Sequence, residues 1–405
     1  MLTPHSESDA AYVIRNAAAQ GTKLAICGGN TRSGFGNITS AEETLSSRGL
    51  AGIVDYERAE MVMTAKAGTP VAEIEAALAE NRQMMAFEPM DHRGIMGTHG
   101  ASVGEPTIGG VFAANVSGPR RLVAGAARDS LLGIRFINGQ GQAIRAGGRV
   151  MKNVTGLDLT KLLAGSHGTL GFLTEVTFRV LPVPQTVETV VVSGLDDAAA
   201  AKAMAAAMAL PVEVSGAAHL PASVGGRFLK GALPAKADGA EATVLRLEGL
   251  AASVAVRAEK LVAVMEAFGP VSRLGLEESR TLWREIRDVH PYADGTQKPL
   301  WRVSVAPSAG HQLVAALRLE AGVDAFYDWQ GGLVWMRMEA DPEAELLRRY
   351  IRALGGGHAT LIRASDAVRA GTPAFEPQPD AVAALSARVK QKLDPAGIFS
   401  PAKMG

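Results

Sequence analysis

Ile26-Cys27-Gly28-Gly29-Asn30-Thr31-Arg32 closes the short apolar run Lys23-Leu24-Ala25-Ile26-Cys27 with a pair of glycines. A strand that ends in consecutive glycines lets backbone N–H groups converge on an anion. Glycine accepts the positive φ of such turns and has no Cβ to hold a ligand off. The expected ligand is a phosphate or pyrophosphate. In a doubly wound nucleotide fold a helix would start at once and complete the site. Here Ser33-Gly34-Phe35-Gly36-Asn37 prolongs the loop with further turn formers. Neither G-x-G-x-x-G nor G-x-x-x-x-G-K-[ST] occurs in the chain. The spacing therefore predicts a phosphate binder on another fold.

The chain has 405 residues and 47% hydrophobic content, enough to bury a large core in two or three domains. Lys+Arg and Asp+Glu both number 41, so the formal net charge is zero. That balance argues against nucleic acid or an anionic bilayer as partner. Cys27, the sole cysteine, excludes an intrachain disulfide framework and any Cys-ligated zinc or iron–sulfur cluster within the chain. Met1 to Glu7 is polar and does not read as a signal peptide. The alanine run Ala198 to Leu210 is broken by Lys202 and too short to span a bilayer. We expect a cytoplasmic protein without a transmembrane segment, with attachment at the inner membrane only through partners.

Outward from the glycine turn, Gly52 to Tyr56 and Met61 to Ala65 predict strands. Thr69 as N-cap and Pro70 at the first helical position predict a helix with Val71, Ile74 and Leu78 inward. Thr107-Ile108-Gly109-Gly110-Val111-Phe112-Ala113-Ala114-Asn115, with Ser117-Gly118 after it, is small enough to lie against a large planar ligand. Leu132 to Ile137 and Ala143 to Ala146 flank Gly139-Gln140-Gly141 as a hairpin. A short helix, Gly156 to Leu163, precedes a second glycine turn, Gly165-Ser166-His167-Gly168-Thr169-Leu170-Gly171, and an alternating strand to Val180. Leu181-Pro182-Val183-Pro184 reads as a boundary. Beyond it, strand and helix patterns alternate (Val187–Val192, Asp196–Leu210, Thr243–Gly249, Ser253–Phe268, then a further round from Trp301 to Leu354). This rhythm predicts an α+β layer on an antiparallel sheet.

These motifs, in this order, resemble the FAD-binding domain of the vanillyl-alcohol oxidase / p-cresol methylhydroxylase (PCMH) superfamily over about the first 180 residues. Ile26–Arg32 resembles its pyrophosphate loop, and Thr107–Gly118 its second flavin-embracing segment. Leu157 to Leu162 with Gly165 to Gly171 resembles its "YDLTKL…GSEGTLG" stretch, with His167 at an acidic position. Asp394-Pro395…Ser400-Pro401 resembles its "DP…NP" tail. Any single glycine turn is more often a plain hairpin or helix cap; agreement of separate motifs reverses those odds. "GGNTRSGFG", "GGHAT" (Gly356–Thr360) and the short second domain are similar to the FAD-binding subunits of bacterial glycolate oxidases.

The resemblance implies an α+β chain with a two-subdomain PCMH-type FAD-binding domain at 1–183. A smaller antiparallel-sheet-plus-helices cap would follow at 184–385, contacting substrate or partner. A segment at 386–405 would return to the FAD domain. It places Cys27, Gly28, Gly29, Asn30, Thr31 and Arg32 on the pyrophosphate. Pro106, Thr107, Gly109, Gly110, Asn115 and Ser117 would lie along pyrophosphate, ribityl chain or ring, and Gly168, Thr169, Leu170 and Gly171 beside the adenosine half. Covalent members often carry histidine where Asn30 stands, so non-covalent FAD is expected.

The metal- and base-bearing "HxGDGNxH" motif of complete 2-hydroxy-acid dehydrogenases is missing. His290 and His358 are weak stand-ins, so no catalytic base and no metal ligand is assigned. His92, His99 and His167 fall near the expected flavin, with a loop hydrogen bond the commoner role. Arg120-Arg121 reads equally as a carboxylate or phosphate neutraliser and as a solvated pair. Glu277 to Arg287 predicts an amphipathic helix with Leu282, Trp283 and Ile286 inward.

The implied function is glycolate oxidation to glyoxylate in a heteromeric complex. A larger FAD-binding catalytic paralogue and an iron–sulfur subunit would be the partners, a small 2-hydroxy acid the substrate. The alternatives are a stand-alone FAD-dependent oxidoreductase for another hydroxy acid or alcohol, and a flavin-free scaffold.

Overall fold

The computed structural model describes residues 1–97, 103–149, 156–233 and 241–404; the statements of absence and number below refer to these. The first helix, Glu7–Gln20, starts at a Ser6/Asp9 capping box and stops at Gly21 in the left-handed conformation. It packs Ala10, Ile14 and Ala17 against a two-stranded parallel sheet, Leu24–Cys27 beside Glu43–Ser46.

A five-stranded antiparallel sheet follows, in the order Ile53–Glu57, Val62–Lys66, Phe172–Arg179, Leu131–Ile137, Ala143–Gly147. The alternating strand is central, which is why it buries residues on both faces. The predicted hairpin about Gly139–Gly141 is present. The helix Val71–Ala79 buries Val71, Ile74 and Leu78, as its spacing requires. Its cap differs from expectation. Pro70 holds the N-cap position with no side-chain bond, and Thr69 Oγ1 instead donates towards the Lys66 and Gly52 carbonyls. A threonine two residues before the helix satisfies the preceding turn first.

The larger sheet has eight strands, all neighbours antiparallel: Val271–Leu274, Thr186–Ser193, Ala242–Gly249, Gly216–Leu220, Val323–Asp328, Leu333–Met338, Leu300–Val305, Gly357–Arg363. One face is covered by the helices Asp197–Ala209 and Ala251–Met265 at one end, and Gly310–Leu317 and Ala344–Ala353 at the other. The opposite face joins Trp335, Phe326 and Leu300 to Phe87, Ile95 and Phe112 in one continuous core. The helix Leu276–Arg287 also closes this core with Leu282, Trp283 and Ile286. The mixed α+β architecture is thus two antiparallel sheets welded through apolar side chains.

The helix Asp380–Leu393 lies on the surface with no buried residue. The chain then turns back onto the first strand. Leu24 donates to the Ile398 carbonyl at 2.7 Å, and the Ser400 amide donates to the Leu24 carbonyl at 2.8 Å.

Candidate functional site

The glycine turn opens into a cavity of about 540 Å³. Its wall brings together Cys27, Gly28, Gly29, Asn30, Thr31 and Arg32 with Thr107, Gly109, Gly110, Gly168 and Gly171. The turn is anchored from behind. Ser46 Oγ donates to the Gly28 carbonyl at 3.1 Å, Gly104 donates to the Gly29 carbonyl at 2.8 Å, and Ile26 donates to Ser400 Oγ at 3.1 Å. Those bonds use carbonyls and the strand amide. Among the described residues the amides of Gly28, Gly29, Asn30 and Arg32 donate to no protein acceptor. Unpaired N–H groups on a cavity wall are costly unless something accepts from them.

The glycines themselves have a reason other than positive φ, which only Asn30 adopts within this turn, at 61°. A Cβ on Gly28 would run into Thr107 Oγ1, and one on Gly29 into the Glu105 carbonyl. A Cβ on Gly109 would lie 2.6 Å from Ala67 Cβ, and one on Gly171 2.6 Å from the Phe136 ring. The segments that wall the cavity lie backbone against backbone, and only glycine permits that approach. Gly168 needs both properties, with φ of 76° and Ile26 Cβ 2.9 Å from its would-be Cβ.

The Thr107 segment folds as a six-residue helix, Ile108–Ala113, rather than an extended ligand platform. The Thr107 side chain caps it by accepting from Gly110. Five expected positions point elsewhere. The Pro106 carbonyl accepts from Val71, and Pro106 borders a separate crevice beside Arg287. Asn115 Oδ1 accepts from the Arg128 amide and Ser117 Oγ from the Ala127 amide, shaping the loop behind the wall. Thr169 Oγ1 donates to the Ser166 carbonyl, and Leu170 packs against the core.

Residues the motifs did not single out complete the wall. Thr39 Oγ1 is buried with no partner, a spare hydroxyl for a bound molecule. Arg369 and Lys403 reach in from the C-terminal region. Burial pulls the Lys403 ammonium down to about 8, with Arg369 adding to the effect. Burial likewise lowers Arg32 to about 10, so Arg32 and Lys403 both remain cationic at neutral pH. Arg32 Nε donates to His92 Nδ1 at 3.1 Å, which leaves the His92 proton on Nε2. Burial first and the Arg32 charge second hold His92 far below the usual imidazole range. His167 stacks on Phe35 at 4.9 Å, and burial drops it to about 3. Both rings are therefore neutral. Burial raises the Cys27 thiol, which makes it an inert wall group rather than a nucleophile. His99 lies outside the described residues. His290 sits exposed in a turn, and His358 stands at the start of the last sheet strand.

The Arg120-Arg121 pair is no solvated tip. Arg120 forms a two-bond fork with Glu248, at 2.9 and 2.6 Å, and also pairs with Glu88. Arg121 stacks over the Trp329 ring at 4.6 Å. No sequence signal linked positions 88 and 120 with the 246/248 pair on the strand Ala242–Gly249. No cluster of three or more metal-ligating side chains and no helix long and apolar enough to cross a membrane occurs among the described residues.

Cationic walls and free amides around a cavity of this size suit a dinucleotide, and comparison with known proteins agrees. Residues 1–147 match the family described as FAD binding domain. Glycolate oxidase subunit GlcE of Escherichia coli (strain K12) is 32% identical over 397 residues, covering 96% of this chain and 95% of that one. Glycolate oxidase subunit GlcD of Bacillus subtilis (strain 168) is 43% identical over 83 residues, 20% of this chain and 18% of its own. The solved structure of p-cresol methylhydroxylase with substrate bound superposes with a TM-score of 0.72 at 15% identity, covering 100% of this chain and 88% of that one. That likeness speaks for a shared fold. The chain belongs to the family of glycolate oxidase subunit GlcE, FAD-binding proteins built on the p-cresol methylhydroxylase fold.

Proposed function

We propose that this chain is the FAD-binding subunit of a glycolate oxidase complex. It would hold one non-covalent FAD in the cavity and serve the oxidation of glycolate, or a like 2-hydroxy acid, to glyoxylate. The carrying observation is the set of unpaired amides at Gly28, Gly29, Asn30 and Arg32 on the cavity wall. When bound, the isoalloxazine supplies hydride acceptance and electron relay. The chain's own part is binding and electrostatics. The four amides and the Arg32 guanidinium neutralise a diphosphate, and Thr39 Oγ1 offers one further hydrogen bond. Neutral His92 fixes the Arg32 side chain in the direction of the cavity. Gly168 and Gly171 keep the opposite wall thin enough for a flat group.

Residues 1–183 would form the flavin domain and 184–385 the cap, with 386–405 returning to the first strand. A larger FAD-binding paralogue related to the subunit named GlcD would be one partner, and an iron–sulfur subunit the other. The family's metal and base motif is missing from this sequence, so the paralogue would carry the main turnover and this chain would relay electrons or support assembly. Cytoplasmic placement, with attachment to the inner membrane only through those partners, completes the reading.

Co-purification from the native host under mild salt tests it. We expect acid-releasable FAD on this chain and a second flavoprotein in the same fraction. A colourless chain that refuses FAD would leave only a scaffold role.

A further inference from the structure

Two guanidinium groups from opposite sides of the seam between the sheets lie over one tryptophan ring. Arg121 comes from the short helix Arg121–Ala124 on the flavin side, and Arg302 from the centre of the Leu300–Val305 strand on the cap side. Each lies over the Trp329 ring, at 4.6 and 4.9 Å from its centroid. Trp329 is locked by its Nε1–H, which donates to the Gly118 carbonyl at 3.0 Å. Among the described residues neither guanidinium has a hydrogen-bond or ion-pair partner, whereas nearly every other interior arginine does. Neither acid whose charge reaches them is in ion-pair contact: Asp129 near Arg121 and, near Arg302, Asp328. The Asp328 carboxyl accepts from the Trp329 amide, and burial pushes it up to about 7, so its charge is only partial at neutral pH.

Polar side chains accompany Arg302 on its sheet face. Residues paired across adjacent strands project from the same sheet face. Arg302 pairs with Trp335 and Thr360, and Ser304 with His358. Trp335 belongs to the core shared with the flavin side. Arg302, Ser304, His358 and Thr360 thus share one sheet face, and the Arg302 and Arg121 charges both act on His358. Uncompensated charge in a half-buried seam is unfavourable until an anion enters.

We propose that Arg121 and Arg302, braced by Trp329, form the carboxylate-binding site for a small 2-hydroxy acid on this subunit. The choice of hydroxy acid rests on the glycolate oxidase reading; the anion site itself rests on the two unpaired guanidiniums. The seam position means that the ligand would be held by both halves of the chain at once. It also gives this subunit a substrate-binding role of its own, beside electron relay.

The test uses the flavin-loaded chain and oxalate, glycolate and neutral glycolamide, read by tryptophan fluorescence and calorimetry. We expect oxalate and glycolate to bind and glycolamide not to. Arg302→Gln and Arg121→Gln should each weaken oxalate by about 10- to 100-fold, and Arg302→Lys by less. FAD content and thermal midpoint of each variant establish that it is folded and loaded. Unchanged oxalate affinity in a folded, loaded Arg302→Gln protein would overturn the proposal. So would absence of oxalate binding by the loaded wild type, which would leave the flavin-subunit reading standing. A variant that shifts the flavin potential but not oxalate affinity would assign the pair to the flavin and overturn the proposal as well. Loss of FAD from the wild type is the separate result that would defeat the parent reading.

Discussion

At the residue scale the glycine turn shows what a motif tells and what it hides. The Gly28-Gly29 pair was legible because glycine is rare at the end of an apolar strand without a reason. The reason itself was not legible, since Thr107 and Glu105 lie far away in sequence. Valine at position 29 would meet the Glu105 carbonyl. Gly29→Val should therefore push the turn off the cavity wall and strip FAD, leaving the eight-stranded sheet folded. The flavin-to-protein absorbance ratio, with near-ultraviolet dichroism as the folding control, checks both halves.

His167 gives a pH prediction. Its pKa falls from 6.5 to about 3 on folding, chiefly by burial. Between those values the unfolded chain binds a proton that the folded chain refuses, so stability drops as pH falls through that window. His167→Asn, which tolerates the residue's positive φ of 51°, should flatten the slope by up to one proton, about 1.4 kcal/mol per pH unit. Denaturant midpoints from pH 6.5 down to 4 would show it; an unaltered slope would mean that His167 is not buried neutral.

At the element scale, periodic segments were readable and quiet ones were not. The helices at Val71 and Leu276 carry apolar stripes that specify their buried faces. The strand Gly216–Leu220, of sequence GAAHL, and the strand Val323–Asp328, with a charge at each end, have no such signature. They are strands because the larger sheet supplies neighbours on both sides. The returning C-terminal segment is held by a similar non-local device. Lys390 Nζ donates to the carbonyls of Thr169 and Phe399 at 2.6 and 2.9 Å and to Asp394 at 2.5 Å. Asp394 in turn accepts from the Ile398 and Phe399 amides. Asp394→Ala would strand a half-buried ammonium and two buried amides, at a cost of roughly 2–4 kcal/mol. We expect proteolysis to cut first after residue 380 in that variant, with flavin affinity falling because Ser400 and Lys403 line the cavity.

At the scale of the whole molecule, two sheets are joined by apolar packing and by one buried charge network. Glu88 accepts from Arg246 at 2.9 and 3.1 Å and pairs with Arg120 at 3.2 Å, while Arg120 forks onto Glu248. Glu88 and Arg120 precede the eight-stranded sheet in the chain, while Arg246 and Glu248 lie on one of its strands. Removing Glu88 would leave two interior arginines short of charge. Glu88→Ala should cost about 3–5 kcal/mol and loosen the seam, read as faster amide exchange along the Ala242–Gly249 strand. Burial opposes ionisation of Glu248, yet the Arg246 and Arg120 charges win and hold it at about 2. The network's contribution is thus complete above pH 4.5 and lost as pH falls towards 2.

On the proposed reading, backbone amides at residues 28–32 grip the diphosphate of FAD. A crystal structure of the FAD-loaded chain tests this most directly. Phosphate oxygens within hydrogen-bond distance of the Gly28, Gly29, Asn30 and Arg32 amides are the predicted result, and a diphosphate seated away from that turn would contradict the account.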